Sequence, residues 1–339
     1  MSVARFSKLY LCLAAILLLL ASNVYAQSLR VVMVETMPVP VVTDHENFFL
    51  SGLEKLGYHA GKNLVVDKIE AQGSEALAKE KLRKYLAGHE VDVVVSFATL
   101  ASRAAKEVLE GTDIPLVFCV VSDPVGAGLI EEVGLPTKTN VTGLVFSLMR
   151  KSKMELAKEL LTQPFPDRPV RVGVVLSSYP AAVNDLKAMR GLGGQIEFES
   201  FSLEYRAMPD GLDAMLADAR KGVTTLSPEI DYWWIVPGPL GETMEFSDLL
   251  LQSGVPVGLC HTKECTRNGG LFFVTPNYED SGFQVAGMVD SIFKGTAPGD
   301  IPPVPPDSFE LGINLKTAIE LQIVIPSEIM ELAGKNVWR

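Results

Sequence analysis

From residue 29 onward, short runs that are apolar at nearly every position alternate with stretches whose apolar residues recur at helical spacing. This alternation constrains the fold more than any other feature of the chain. A strand with one wet face alternates apolar and polar residues, whereas a strand covered by helices on both faces can be apolar throughout. Residues 29–34 predict such a buried strand. Residues 44–56 then carry Phe48, Phe49, Leu53 and Leu56 at helical spacing, with Gly57 as the stop. Strands at 63–69, 91–96 and 114–121 and helices at 73–86 and 100–109 continue the series. This order implies a parallel sheet with helices on both faces.

The same grammar restarts after residue 150. Helices at 152–161, 181–189, 209–220 and 245–252 alternate with strands at 170–176, 195–201, 232–236 and 255–259. A strand at 271–275 and a helix at 278–293, stopped by Gly295, follow. Residues 297–306 hold five prolines and read as a stiff, extended connector. A last strand at 309–313 and helix at 315–321 suggest that the chain crosses between units again. At roughly 100–200 residues per domain, the 339 residues suit two α/β units, joined near 140–150.

The N-terminus has the three-part layout of a secretory leader. Arg5 and Lys8 precede an apolar run at residues 9–20, and Val24-Tyr25-Ala26 offers a small-x-small cleavage pattern. The run is short of the ~20 residues that span a bilayer, so cleavage after Ala26 and a periplasmic location are expected. Of the remaining cysteines, Cys260 and Cys265 are close enough to pair in an oxidising space. Cys119, in an apolar strand run, reads as a small hydrophobe.

Several chemistries are disfavoured. Acidic residues outnumber basic ones by 41 to 30, and no basic run appears, so nucleic acid is not an expected partner. Gly191-Leu192-Gly193-Gly194 follows a helix rather than linking a strand to one, which is the wrong context for a phosphate loop. There is no G-x-S-x-G elbow and no H-E-x-x-H. Cys260, His261 and Cys265 could hold zinc or copper, but no fourth ligand is near, and a disulfide or free loop is the simpler reading. No cofactor, metal or catalytic residue is expected.

In open parallel sheets, ligands bind beyond the carboxyl ends of the strands. Those positions select a ligand-contacting set: Thr36, Met37, Ala98, Thr99, Ser122, Asp123, Ser178, Tyr179, Gly238, His261, Asn277 and Tyr278. Ser and Thr there can cap helices, but with exposed amides they can also bind an anion. Asp123 offers a partner for an ammonium or hydroxyl, or else an Asx turn before Pro124. Tyr179, then Tyr278, is the expected stacking aromatic. Trp233 and Trp234 lie inside a strand run and read as packing.

The runs Ile114-Pro115-Leu116-Val117-Phe118, Val121-Ser122-Asp123-Pro124-Val125-Gly126-Ala127-Gly128-Leu129 and Asn140-Val141-Thr142-Gly143 resemble the signature of the ABC-transporter substrate-binding family that includes tryptophan/tyrosine-type binding proteins. Phe309-Glu310-Leu311-Gly312-Ile313-Asn314, with Ile325-Pro326, is similar to that family's tail. The resemblance implies a type I periplasmic-binding-protein fold: two doubly wound lobes, a three-stranded hinge and an interlobe cleft. The expected division is a leader at 1–26, lobe 1 at 27–143 plus about 270–297, and lobe 2 at 144–269 plus about 307–339. The implied function is capture of a small molecule, an amino acid or related solute, by a monomer that delivers it to an ABC permease and its ATPase. The rival is a sensory module that presents its closed form to a receptor kinase. An enzyme is disfavoured, because no second catalytic group accompanies Asp123.

Overall fold

The computed structural model describes residues 28–146, 149–207 and 209–339; the expected leader lies outside these. The first lobe begins β1 (Leu29–Glu35), α1 (Pro40–Lys55), β2 (Leu64–Glu70), α2 (Glu75–Leu86), β3 (Val93–Phe97), α3 (Thr99–Leu109), β4 (Leu116–Val121), β5 (Val141–Val145). Its strands are all parallel, in the order β2-β1-β3-β4-β5. Successive β1 residues serve opposite faces: Val32 and Val34 pack with Val94 and Phe118, while Val31 and Met33 pack with Val95 and Phe97. Two covered faces are the physical reason the run is apolar at each position from Val31 to Val34.

The second lobe continues with α4 (Met149–Leu161), β6 (Val170–Ser177), α5 (Pro180–Leu192), β7 (Ile196–Leu203), α6 (Leu212–Leu226), β8 (Tyr232–Trp234), α7 (Met244–Leu251), β9 (Val257–Cys260), α8 (Lys263–Arg267) and β10 (Phe272–Pro276). After α9 (Tyr278–Phe293) come β11 (Phe309–Asn314), α10 (Leu315–Glu320), α11 (Ser327–Ala333) and β12 (Val337–Trp338). The sheet order is β12-β11-β10-β9-β8-β6-β7, parallel except between β10 and β11. Trp233 and Trp234 are core residues on opposite faces of this sheet, 0% and 1% exposed.

The chain passes between lobes three times: between β5 and α4, between β10 and α9, and along the proline strap into β11. Crossings two and three touch, since Asn277 N donates to Ser308 O at 3.1 Å. The strap also pairs with β5, Val145 N donating to Val304 O at 2.8 Å. One expected boundary shifts. β10 belongs to the second sheet, so the return to lobe 1 falls at residues 276–278 rather than near 270. Helix α9 returns because it packs on α1 at close range. A Cβ on Gly282 would sit 2.5 Å from Phe48 Cβ, and one on Gly52 would sit 2.7 Å from Ala286 Cβ. Residues 141–145, read from sequence as part of a junction, are a fully buried strand.

A buried charge cluster ties β1 to α1. Lys68 Nζ lies 2.9 Å from Glu35 Oε1 and 2.7 Å from Glu46 Oε2, and both glutamates are almost wholly shielded from water. Burial pushes the Glu46 carboxyl up to about 7; the Lys68 ammonium opposes this and neighbouring Glu35 adds to it. The cluster matters for function because Met37, two residues after Glu35, and Val41 and Val42, one turn before Glu46 on α1, face the cleft.

Candidate functional site

The carboxyl ends of both sheets face one another across a cleft of about 830 Å³, its open mouth included. From lobe 1 it receives Met37, Val39, Val41, Val42, Ala98, Thr99, Val120, Ser122 and Phe146; from lobe 2, Arg150, Lys153, Tyr179, Ala181, Asp185, Pro237, Gly238, Pro239, Glu242, His261 and Thr275. Pro276 and Tyr278 enter from the second crossing. Eight of the twelve sequence-selected residues are therefore on its wall: Met37, Ala98, Thr99, Ser122, Tyr179, Gly238, His261 and Tyr278.

Three of the other four are turned to local structure. Asp123 Oδ1 accepts from Gly126 N at 2.9 Å, the Asx turn that favours such a residue before proline. Asn277 Oδ1 caps α9 by accepting from Asp280 N at 3.0 Å. Ser178 Oγ accepts from Tyr205 N at 3.0 Å. Thr36 is buried near the Tyr179 hydroxyl of lobe 2, its Oγ1 among the buried atoms without a hydrogen-bond partner in the described residues.

Two backbone outliers shape the cleft floor. Ala98 (φ 72°) and Val120 (φ 57°) sit in the left-handed region that L-residues with a Cβ avoid. They occur at the end of β3 and within β4, where the β4–β5 register shifts between Phe118 and Val121. Strain of roughly 1–3 kcal/mol per residue persists only where surrounding structure holds it, commonly at ligand sites. Beside Val120, Ser122 Oγ is buried with no hydrogen-bond partner among the described residues.

Tyr179 does not present an open stacking face. Only 3% exposed, it packs edge-on to Tyr205 at 5.1 Å and against Leu100 of the other lobe. Burial pushes its hydroxyl up to about 12, with the Leu100 backbone and Thr36 opposing. Tyr205 Oη then donates to Gly73 O at 3.2 Å, so the two lobes are in direct contact beside the cleft. Tyr278 lies 4.6 Å from the His45 ring, and Phe146 lies 5.2 Å from the same ring. His45 thus sits between side chains of the first and second crossings. Burial holds its imidazole down at about 4, while a 2.6 Å contact with the Val41 carbonyl opposes that.

Among the described residues, the charged residues of the cleft wall all come from lobe 2, and the sequence reading missed four of them. Arg150 Nε donates to Asp185 Oδ1 at 2.8 Å, but its Nη2 is buried with no partner among the described residues. Lys153, one turn further along α4, makes no hydrogen bond or ion pair among the described residues. Burial lowers its ammonium pKa, which Asp185 and Glu242 partly offset. Glu242 Oε1 lies 2.7 Å from His261 Nε2, leaving His261 Nδ1 buried and unpartnered. Cys260 and Cys265 are joined in a disulfide that brackets His261, and the bond occupies both sulfurs of the metal-site alternative. One signal for the missed cations exists in the sequence. Arg150, Lys151 and Lys153 open a helix with no acid in its first turn, a placement the helix dipole disfavours unless an anion is near.

Two hinged, doubly wound lobes with a mixed polar and apolar cleft at their facing strand ends define a type I periplasmic-binding-protein fold. The ABC transporter substrate binding protein family model matches residues 37–337, and the chain belongs to that family. Among its relatives is a tyrosine-binding protein of Clostridioides difficile, 23% identical over 278 residues, which are 81% of this chain and 76% of the relative. Similar solved structures include a conserved domain protein from Vibrio cholerae, with TM-score 0.76 and 24% identity over 92% of this chain and 100% of that one. Another is an ABC domain in complex with L-Trp from Streptococcus pneumoniae, with TM-score 0.74 and 21% identity over 91% and 99% of the two chains.

Proposed function

We propose that this chain is an exported receptor that captures a small organic solute, an amino acid or a close relative, between its lobes and delivers it to an ABC permease. The observation that carries this reading is the cleft itself: a largely apolar, uncharged wall from lobe 1 faces the charged groups of lobe 2, with unpartnered polar atoms at Ser122 and Arg150, across contacts that a hinge can open and close. A solute touching both walls would favour the closed state by its differential affinity for it. A micromolar receptor needs about 8 kcal/mol of binding free energy, which a buried apolar body and a few charge-assisted hydrogen bonds can supply. The tyrosine named for one relative and the L-Trp held by a similar domain support an aromatic amino acid as the first candidate. The fold and family support a binding role, with no catalytic step required of any side chain.

The test is thermal. A ligand present at 100 times its Kd stabilises the native state by about 2.7 kcal/mol, which should raise Tm by several degrees. L-Trp, L-Tyr and a broad panel of amino acids, sugars, nucleosides and organic acids are to be screened by melting. At least one compound is expected to give such a shift, and a flat response across the whole panel would sink the receptor reading.

A further inference from the structure

The geometry points to a ligand with an anionic head bound by Arg150 and Lys153 of lobe 2 and an uncharged, largely apolar body laid against lobe 1. This inference rests on the capture reading above and specifies its solute class and orientation.

It follows from donor and acceptor accounting. Each carboxylate on the wall already uses an oxygen, Asp185 on Arg150 and Glu242 on His261. The donors are not used up. Arg150 Nη2 is buried without a partner among the described residues, and the Lys153 ammonium has none there either. A guanidinium and an ammonium have donors only, so the missing partner must be an acceptor. A buried donor of a charged group left unpaired, as Arg150 Nη2 is, is costly, and an anion arriving from solution removes that cost; the half-buried Lys153 ammonium gains the same partner. Arg150 and Lys153 stand three residues apart on α4 and so lie on one helix face, close enough to share one carboxylate or similar group.

The opposite wall fixes the remainder of the ligand. Met37, Val41, Val42 and Ala98 carry no polar side-chain atoms, Thr99 and Ser122 add only neutral hydroxyls, and among the described residues no lysine, arginine, aspartate or glutamate of lobe 1 lines the cleft. A second charge on the body would therefore be desolvated there without compensation. The free oxygens of Asp185 and Glu242 leave room for an amino group beside the head, but only on the lobe 2 side.

The experiment is an acid–amide panel read by melting and titration on the purified protein. The probes are L-tryptophan, L-tyrosine, L-leucine and 3-phenylpropionate, each paired with its primary amide. At least one acid is expected to bind, its amide at least tenfold more weakly. Lys153→Met, which keeps the stem but removes the charge, should weaken the binding acid tenfold to a hundredfold while leaving the ligand-free Tm within a few degrees. Lys153→Gln serves as a second variant should Met perturb folding, and Lys153→Arg should restore part of the affinity. An amide that binds as well as its acid, or a Lys153→Met protein with unchanged affinity, overturns the inference. So does binding confined to neutral or cationic solutes of the broad panel, which would leave the capture reading standing. No binding by any compound of either panel removes both.

Discussion

Lys68→Met is expected to lower stability by about 3–5 kcal/mol at pH 8 and by much less at pH 5. Removing one partner of a buried charge cluster strands the others, and a cost of this size is usual for an uncompensated buried charge. Here two carboxylates, Glu35 and Glu46, would lose the ammonium that holds them together. The pH dependence follows from Glu46. Its ordinary value is 4.5, and in the folded chain it is pushed up to about 7, chiefly by burial. Between those values the folded chain keeps a proton that the unfolded chain has released, so stability falls as pH rises through the window. Without Lys68 the Glu46 carboxyl loses its main opposing influence and rises further, which steepens that fall and lets acid rescue the variant. Urea melts at the two pH values check this. A loss below about 1 kcal/mol, or one independent of pH, would contradict the assignment of Lys68 as the clamp between β1 and α1.

Gly73→Ala is expected to weaken ligand binding about tenfold to a hundredfold with a smaller effect on folding. Gly73 lies on lobe 1 at φ 75°, and a Cβ there would sit 2.9 Å from Ala207 Cα and Cβ and from Tyr205 Oη of lobe 2. Backbone strain from the left-handed conformation burdens open and closed states alike, so it appears in the ligand-free Tm. The clash with Tyr205 and Ala207 burdens the closed state alone. Overpacking of this kind costs roughly 1–3 kcal/mol, and each 1.4 kcal/mol is tenfold in affinity. Titration of the binding acid against both proteins separates the two effects. An unchanged Kd would mean that this interlobe contact is no part of the closed, ligand-holding state.

Most of the architecture was legible because it rests on period and run length. The apolar runs became sheet strands, and residues 278–293 became a helix with those very bounds. Errors came where position depends on long-range packing. Residues 141–145 offered a strand only five residues long beside a proline- and glycine-rich loop, and β10 looked like lobe 1 because the helix after it is. Nothing local says that α9 will dock on α1; the close approaches of Gly52 to Ala286 and of Gly282 to Phe48 say so only once both helices are in place. At the site, strand-end logic found the turns of both lobes. It could not tell an Asx turn at Asp123 or a cap at Asn277 from a ligand contact, since the same polar atom serves either purpose. It also passed over Arg150, Lys153, Asp185 and Glu242. These lie on helices or within a loop after β8 rather than at strand ends, and only folding turns them toward one cleft.

A crystal structure of the protein with its tightest-binding acid tests the central claim most directly. The account predicts the acid between the lobes, its anionic group within hydrogen-bond distance of Arg150 Nη2 and Lys153 Nζ, and its body against Met37, Val42 and Phe146. An acid bound outside the cleft, or bound with its charge against lobe 1, would contradict it.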